Sequence, residues 1–105
     1  MKFLVTTETR DSYYSLPMEK QAQLFVATDA FIRKYLKSGK CKEVFYTSGF
    51  KKSVSIWEIE TSAESAQHLL ENPMRSYQDI KSEPLVEHDV LAKALAARLK
   101  KPSKK

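Results

Sequence analysis

The stretch Gly39–Glu60, GKCKEVFYTSGFKKSVSIWEIE, constrains the chain more than any other. Cys41–Thr47 is rich in aromatic and β-branched residues, and Ser53–Glu60 alternates apolar with polar. Between them Ser48-Gly49-Phe50-Lys51-Lys52 supplies a turn, with Gly49 able to take the positive φ that a short hairpin loop usually needs. The segment therefore predicts a β-hairpin. A lone hairpin is marginal in water, so the rest of the chain must cover it. Its second strand is apolar on both sides, with Val54 and Ile56 on one and Trp57 and Ile59 on the other. A sheet with one solvated face alternates more sharply. The expectation is a sheet covered twice, by helices on one face and by a second copy of the chain on the other. The alternative is a monomer whose C-terminal helix folds over the second face.

The flanking sequence supplies the cover. Lys2–Thr7 is a short β-prone run, and Glu8–Ser15 reads as a loop. Ser15-Leu16-Pro17 looks like a helix start, Ser15 accepting from the free amides and Pro17 sitting in the first turn. From Met18 to Lys37, Leu24, Phe25, Phe31, Ile32, Tyr35 and Leu36 fall at helical spacing, with Gln21 and Gln23 turned outward and Gly39 as C-cap. Thr61 and Glu64 stand at capping-box spacing before a shorter helix that Asn72-Pro73 stops. Met74–Lys81 is a connector, Pro84–Val90 reads as a fourth strand, and Leu91–Lys100 is alanine- and leucine-rich and helical. The order is β–α–β–β–α–β plus a C-terminal helix. This is the α+β, ferredoxin-like plan with a four-stranded antiparallel sheet.

With 105 residues the chain fits one domain, residues 1–100, followed by a basic flexible tail at 101–105. Four lysines in the last six residues account for most of the net charge of +5, and the body is close to neutral. No arginine cluster or aromatic platform supports a nucleic-acid partner. The single Cys41 forms no internal disulfide and reads as a packing residue, which suits a reducing compartment. No window approaches a membrane span, and the N-terminal apolar run is too short for a signal peptide. The expected location is the cytoplasm. Two isolated histidines give no metal-ligand spacing, and no Gly-rich phosphate loop is present.

Two groups of residues carry a further resemblance. The first is Gly39 and Gly49 with Ser53-Val54-Ser55-Ile56 behind them. The second is Pro73…Tyr77-Gln78-Asp79-Ile80, followed by Leu85…His88. Their order and spacing over Leu16–His88 resemble the muconolactone isomerase-like family of the dimeric α+β barrel superfamily. The resemblance implies a ferredoxin-like protomer whose sheets pair into a barrel. It also implies isomerase chemistry without metal or organic cofactor, on a small unsaturated or cyclic organic acid. The chain departs from the family pattern in two places. A glutamate position in the first helix falls on Thr28, with Asp29 one residue away, and an aromatic-rich strand becomes Cys41-Lys42-Glu43-Val44-Phe45.

Moving a proton beside a carbonyl requires an acid and a base within hydrogen-bond reach. Tyr77 and Asp79 in the connector and His88 on the expected fourth strand are the candidate catalytic groups, although each also has a structural reading. Thr28, Asp29, Tyr46 and Trp57 are the candidate ligand-binding residues, with Tyr46 and Trp57 alternatively sealing a subunit interface. Tyr13 and Tyr14 are either a lid over the pocket mouth or a surface loop. His68 is expected at the surface. Three functions stay open: a cofactor-free isomerase, a non-catalytic barrel dimer that binds a small ligand, and a cofactor-independent monooxygenase.

Overall fold

A computed structural model describes residues 1–100. The expected basic tail at 101–105 lies outside the described residues. The elements are β1 (Lys2–Thr9), α1 (Asp11–Tyr14), α2 (Met18–Ser38), β2 (Cys41–Tyr46), β3 (Lys52–Glu58), α3 (Ser62–Glu71), a 3-10 turn (Arg75–Tyr77), β4 (Gln78–Pro84) and α4 (His88–Lys100). The four strands form one sheet in the order β2-β3-β1-β4, every pair antiparallel. This is the expected α+β plan.

Strand alternation sorts the side chains onto two faces. Phe3 and Val5 of β1, Val44 of β2 and Trp57 of β3 face α2, where they meet Phe31, Ile32 and Tyr35. Trp57 is 5% exposed and lies between three rings, with centroids 6.0 Å from Phe31, 5.4 Å from Tyr35 and 4.9 Å from His68. Its indole N–H donates to Ser55 Oγ at 2.9 Å, and that hydroxyl donates to the Val5 carbonyl at 3.3 Å. The one polar atom of the indole is thus satisfied inside the core. Trp57, expected to line a pocket or an interface, is a core residue of the single protomer. Cys41 packs beside it at 2% exposure, and burial pushes its thiol up to about 11.

Capping follows the sequence at two of three helix ends. Gly39 closes α2 at φ 83°, a left-handed conformation that suits glycine. At α3, Thr61 Oγ1 accepts from the Glu64 amide and Glu64 Oε1 accepts from the Glu60 amide. Ser15, however, does not cap α2. Its hydroxyl donates to the Asp11 carbonyl, and Pro17 occupies the cap position with no side-chain acceptor.

The fourth strand sits one segment earlier than expected. Gln78–Pro84 pairs with β1, from Gln78 opposite Thr9 to Pro84 opposite Phe3. As an edge strand it tolerates a polar sequence, and Pro84 comes last, where a missing N–H costs little. The more apolar Leu85–Val90 is not a strand, and His88 is the first residue of α4. The expected loop over Glu8–Ser15 is also shorter: β1 runs to Thr9, and α1 follows after Arg10.

On the outer face, Leu4 and Ile56 are half-buried while Phe45 and Val54 remain exposed. The C-terminal helix does not cover this face, and Val90, Leu91, Leu95 and Leu99 along α4 are themselves exposed.

His68 is not the surface residue expected from sequence. Its ring meets Tyr35 edge-on at 4.6 Å, and its Nδ1 is buried without a partner. Burial is the largest cause lowering its pKa below the ordinary histidine value. The neutral ring is the form that packs, so the unfolded chain takes up the proton first as pH falls. Stability is therefore complete above about pH 6.5 and declines as pH drops through the lower folded-state value. Thermal unfolding followed from pH 7.5 down to about 5 will show this loss, and His68→Phe will flatten it. Glu71 is held down to about 2, chiefly by the Tyr35 hydroxyl, and its contribution fades only in more acid solution.

Candidate functional site

A cavity of about 430 Å³ lies at the end of the sheet where β1 finishes. This lies within the range of small-molecule sites. One wall is the N-terminal half of α2, where Gln21, Phe25, Thr28 and Asp29 form a helical stripe at spacings of three and four. The opposite wall is Tyr46 of β2 with Gly49 and Phe50 of the hairpin turn. Tyr13 and Tyr14 of α1 form a third side, and Thr9, Met74 and Gln78 complete the lining.

Backbone hydrogen bonds hold these walls together. The Thr9 amide donates to the Lys51 carbonyl at 2.8 Å, tying the end of β1 to the hairpin turn. The Arg10 amide donates to the Tyr77 carbonyl at 2.8 Å, tying α1 to the 3-10 turn. Tyr13 Oη donates to the Gln21 carbonyl at 2.9 Å, and its ring meets Tyr77 at 6.4 Å. Gln21, expected outward, turns back so that its amide donates to the Leu16 carbonyl at 2.9 Å. Tyr13 is thus tied into the wall of the cavity by its hydroxyl and its ring.

The polar groups left over decide what the cavity can do. Thr28 donates its hydroxyl proton to the Leu24 carbonyl at 2.7 Å and keeps its lone pairs. Gln78 accepts from Asn72 through Oε1, so its amide N–H groups stay free. Asp29 accepts from Arg33 Nε at 2.9 Å through Oδ2, leaving Oδ1 free, and Arg33 does not border the cavity. Burial, and then the negative charge of Asp29, raise the Tyr46 pKa, so its hydroxyl stays protonated and able to donate. The cavity therefore offers one carboxylate, the phenols of Tyr46 and Tyr14 and the Gln78 side-chain amide among aromatic walls.

Thr28, Asp29 and Tyr46 are brought together here, whereas Trp57 borders smaller spaces within the core. The three candidate catalytic groups do not converge. Tyr77 lies behind Tyr13. Asp79 points to the outer face of the sheet, exposed and paired with Arg10 Nε at 2.8 Å. His88 is exposed at the start of α4. Strand parity explains Asp79: Gln78 and Ile80 take the inner positions of β4, so Asp79 between them must take an outer one. Phe25, Phe50 and Gln78 also line the cavity, and the sequence does not mark them as site residues. The Gln21/Phe25/Thr28 spacing was the available signal for Phe25; the other two depend on tertiary structure. Among the described residues no group of three or more His, Cys, Asp or Glu could hold a metal ion, and no helix is long and apolar enough to cross a membrane.

Comparison with known proteins fits this architecture. Residues 1–90 match the family model described as muconolactone delta-isomerase, and the chain belongs to that family. Among solved structures, it resembles a crystal structure of muconolactone isomerase at 3.3 Å resolution. The TM-score is 0.70 at 20% identity, over 84% of this chain and 91% of the other, a likeness that establishes the fold. No curated protein sequence matches.

The hairpin turn departs from expectation at the cavity wall. Phe50, not Gly49, takes the positive φ, at 62°. A bulky side chain in this region costs about 1–2 kcal/mol, and here it places an aromatic ring on the cavity. Phe50→Gly will leave thermal stability equal or raised, since glycine adopts this φ freely. It will also weaken ligand binding by removing one wall. Calorimetric unfolding and ligand titration on the same variant will separate the two effects.

Proposed function

We propose that this chain is a cofactor-free isomerase-like enzyme that moves a proton within a small unsaturated or cyclic organic molecule held between α2 and the sheet. The observation that carries this reading is the cavity itself, which holds one carboxylate, Asp29, across from the Tyr46 phenol, among aromatic walls. Membership of the muconolactone delta-isomerase family supports the reaction class.

In this reading Asp29 takes a proton from the carbon beside a carbonyl. The Tyr46 hydroxyl, joined by the Gln78 amide, hydrogen-bonds the oxygen on which negative charge develops. Asp29 then returns the proton to a carbon further along the conjugated system, which moves the double bond and leaves the composition unchanged. Thr28 and Tyr13 orient the substrate through hydroxyl lone pairs. Tyr77 acts indirectly, by holding Tyr13. Asp79 and His88 have no part in this scheme because both are exposed away from the cavity.

The test is solvent deuterium exchange into unsaturated lactones, followed by proton NMR. The protein will accelerate exchange at the carbon next to the carbonyl, and Asp29→Asn will slow it by about 10²-fold or more. Equal rates in the two proteins would remove Asp29 from the chemistry. Absence of any exchange would leave a binding role only.

The reading includes self-association through the outer face of the sheet. Exposed Phe45 and Val54 beside half-buried Leu4 and Ile56 favour it. Sedimentation velocity will show a dimer or larger species, and Phe45→Lys combined with Val54→Lys will dissociate it. A wild-type monomer at all concentrations would refute this part.

A further inference from the structure

We infer that the molecule held in the α2–sheet cavity is uncharged, a flat hydroxyl- and carbonyl-bearing compound rather than a carboxylate. The inference rests on the reading of this cavity as the substrate site, and it narrows the substrate class. It also departs from the organic acid that the sequence led us to expect.

The argument begins with charge. Among the described residues, no lysine, arginine or histidine borders the cavity, although the chain carries eighteen lysines and arginines in all. The single ionised group on its walls is the Asp29 carboxylate. Arg33 engages Asp29 from outside, along the helix, so the free oxygen Oδ1 is the part of the pair available to a ligand. A bound carboxylate would find no opposite charge on the walls and would meet the Asp29 carboxylate, whose repulsion Arg33 offsets only in part, and both desolvation and like charge oppose binding. Tight recognition of an anion calls for a guanidinium, an ammonium or a set of free amides, and among the described side chains lining the cavity Gln78 alone has a free amide.

The remaining groups state what does fit. Asp29 Oδ1 and the lone pairs of Thr28 and Tyr13 accept hydrogen bonds, which suits a ligand hydroxyl. Tyr46 Oη and the Gln78 amide donate, which suits a ligand carbonyl. The aromatic walls, Phe25 and Phe50 foremost, suit a planar body between the two ends. A small neutral phenol or hydroxylated unsaturated lactone satisfies all three requirements.

The test is isothermal titration of the full-length protein with probes matched in shape and differing in charge. Para-hydroxybenzamide and methyl para-hydroxybenzoate are the neutral probes, and para-hydroxybenzoate is the anion. The neutral probes should bind about tenfold or more tightly than the anion at neutral pH, with the gap narrowing at high salt. Asp29→Asn should bring the anion close to the neutral probes. Tighter binding of the anion by the wild type would overturn the inference and leave the cavity as the substrate site. Discrimination that persists unchanged in Asp29→Asn would also overturn it, since Asp29 would not be its source. If neither kind of probe binds and Phe50→Gly alters nothing, the reading of the cavity falls, and the inference with it.

Discussion

The burial of Trp57 is the constraint on which the rest of the molecule depends. Its ring receives α2 through Phe31 and Tyr35 and α3 through His68, while its N–H is tied through Ser55 to the backbone of β1. Two helices and two strands are therefore registered on one side chain. The Tyr35 and Lys34 side chains both donate to Glu71, which fixes the C-terminal half of α2 against the end of α3. With that half pinned, the N-terminal half of α2 stands beyond the dense core. The space it leaves at the end of the sheet is the cavity. The site thus follows from where the core stops.

The sequence was most informative where one physical signal dominated. The hairpin, the long helix with its Gly39 cap, and the Thr61/Glu64 box were readable because periodicity and capping are local. The fourth strand was not, because two adjacent segments compete there. Leu85–Val90 has the better local strand composition, but the register with β1 selects Gln78–Pro84. Pairing with a central strand outweighs propensity at a sheet edge. The same displacement moved His88 from a strand to the first turn of a helix and so removed the basis for its expected role. Phe50 shows a different limit. Gly49 was the natural bearer of a positive φ, yet the turn closes with the Phe50 amide donating to the Thr47 carbonyl, which puts the left-handed residue one place later.

The candidate site was half legible for a related reason. Thr28, Asp29 and Tyr46 were singled out, and the cavity brings them together. Tyr77, Asp79 and His88 were chosen as polar groups within motifs, and motif position carries no information on which face of a sheet a side chain meets. Trp57 and His68 show the converse. Both looked available in sequence, and both are taken up by packing that only the folded chain makes visible.

Helix geometry sets where Thr28 and Asp29 stand relative to the cavity. Adjacent helix positions such as Thr28 and Asp29 stand about 100° apart around α2. Measured from Gln21, the cavity residues Gln21, Phe25, Thr28 and Asp29 fall at about 0°, 40°, −20° and 80°. The core residues Phe31, Ile32 and Tyr35 fall at about −80°, 20° and −40°. The cavity stripe is therefore broad and rotated from the core stripe, and Asp29 stands at its far edge. That edge position explains why the carboxylate meets solvent and Arg33 on one side and the cavity on the other. It also leaves one carboxylate on the cavity wall beside Thr28. The charge stands at the rim, and the interior beneath is left to hydroxyls and rings.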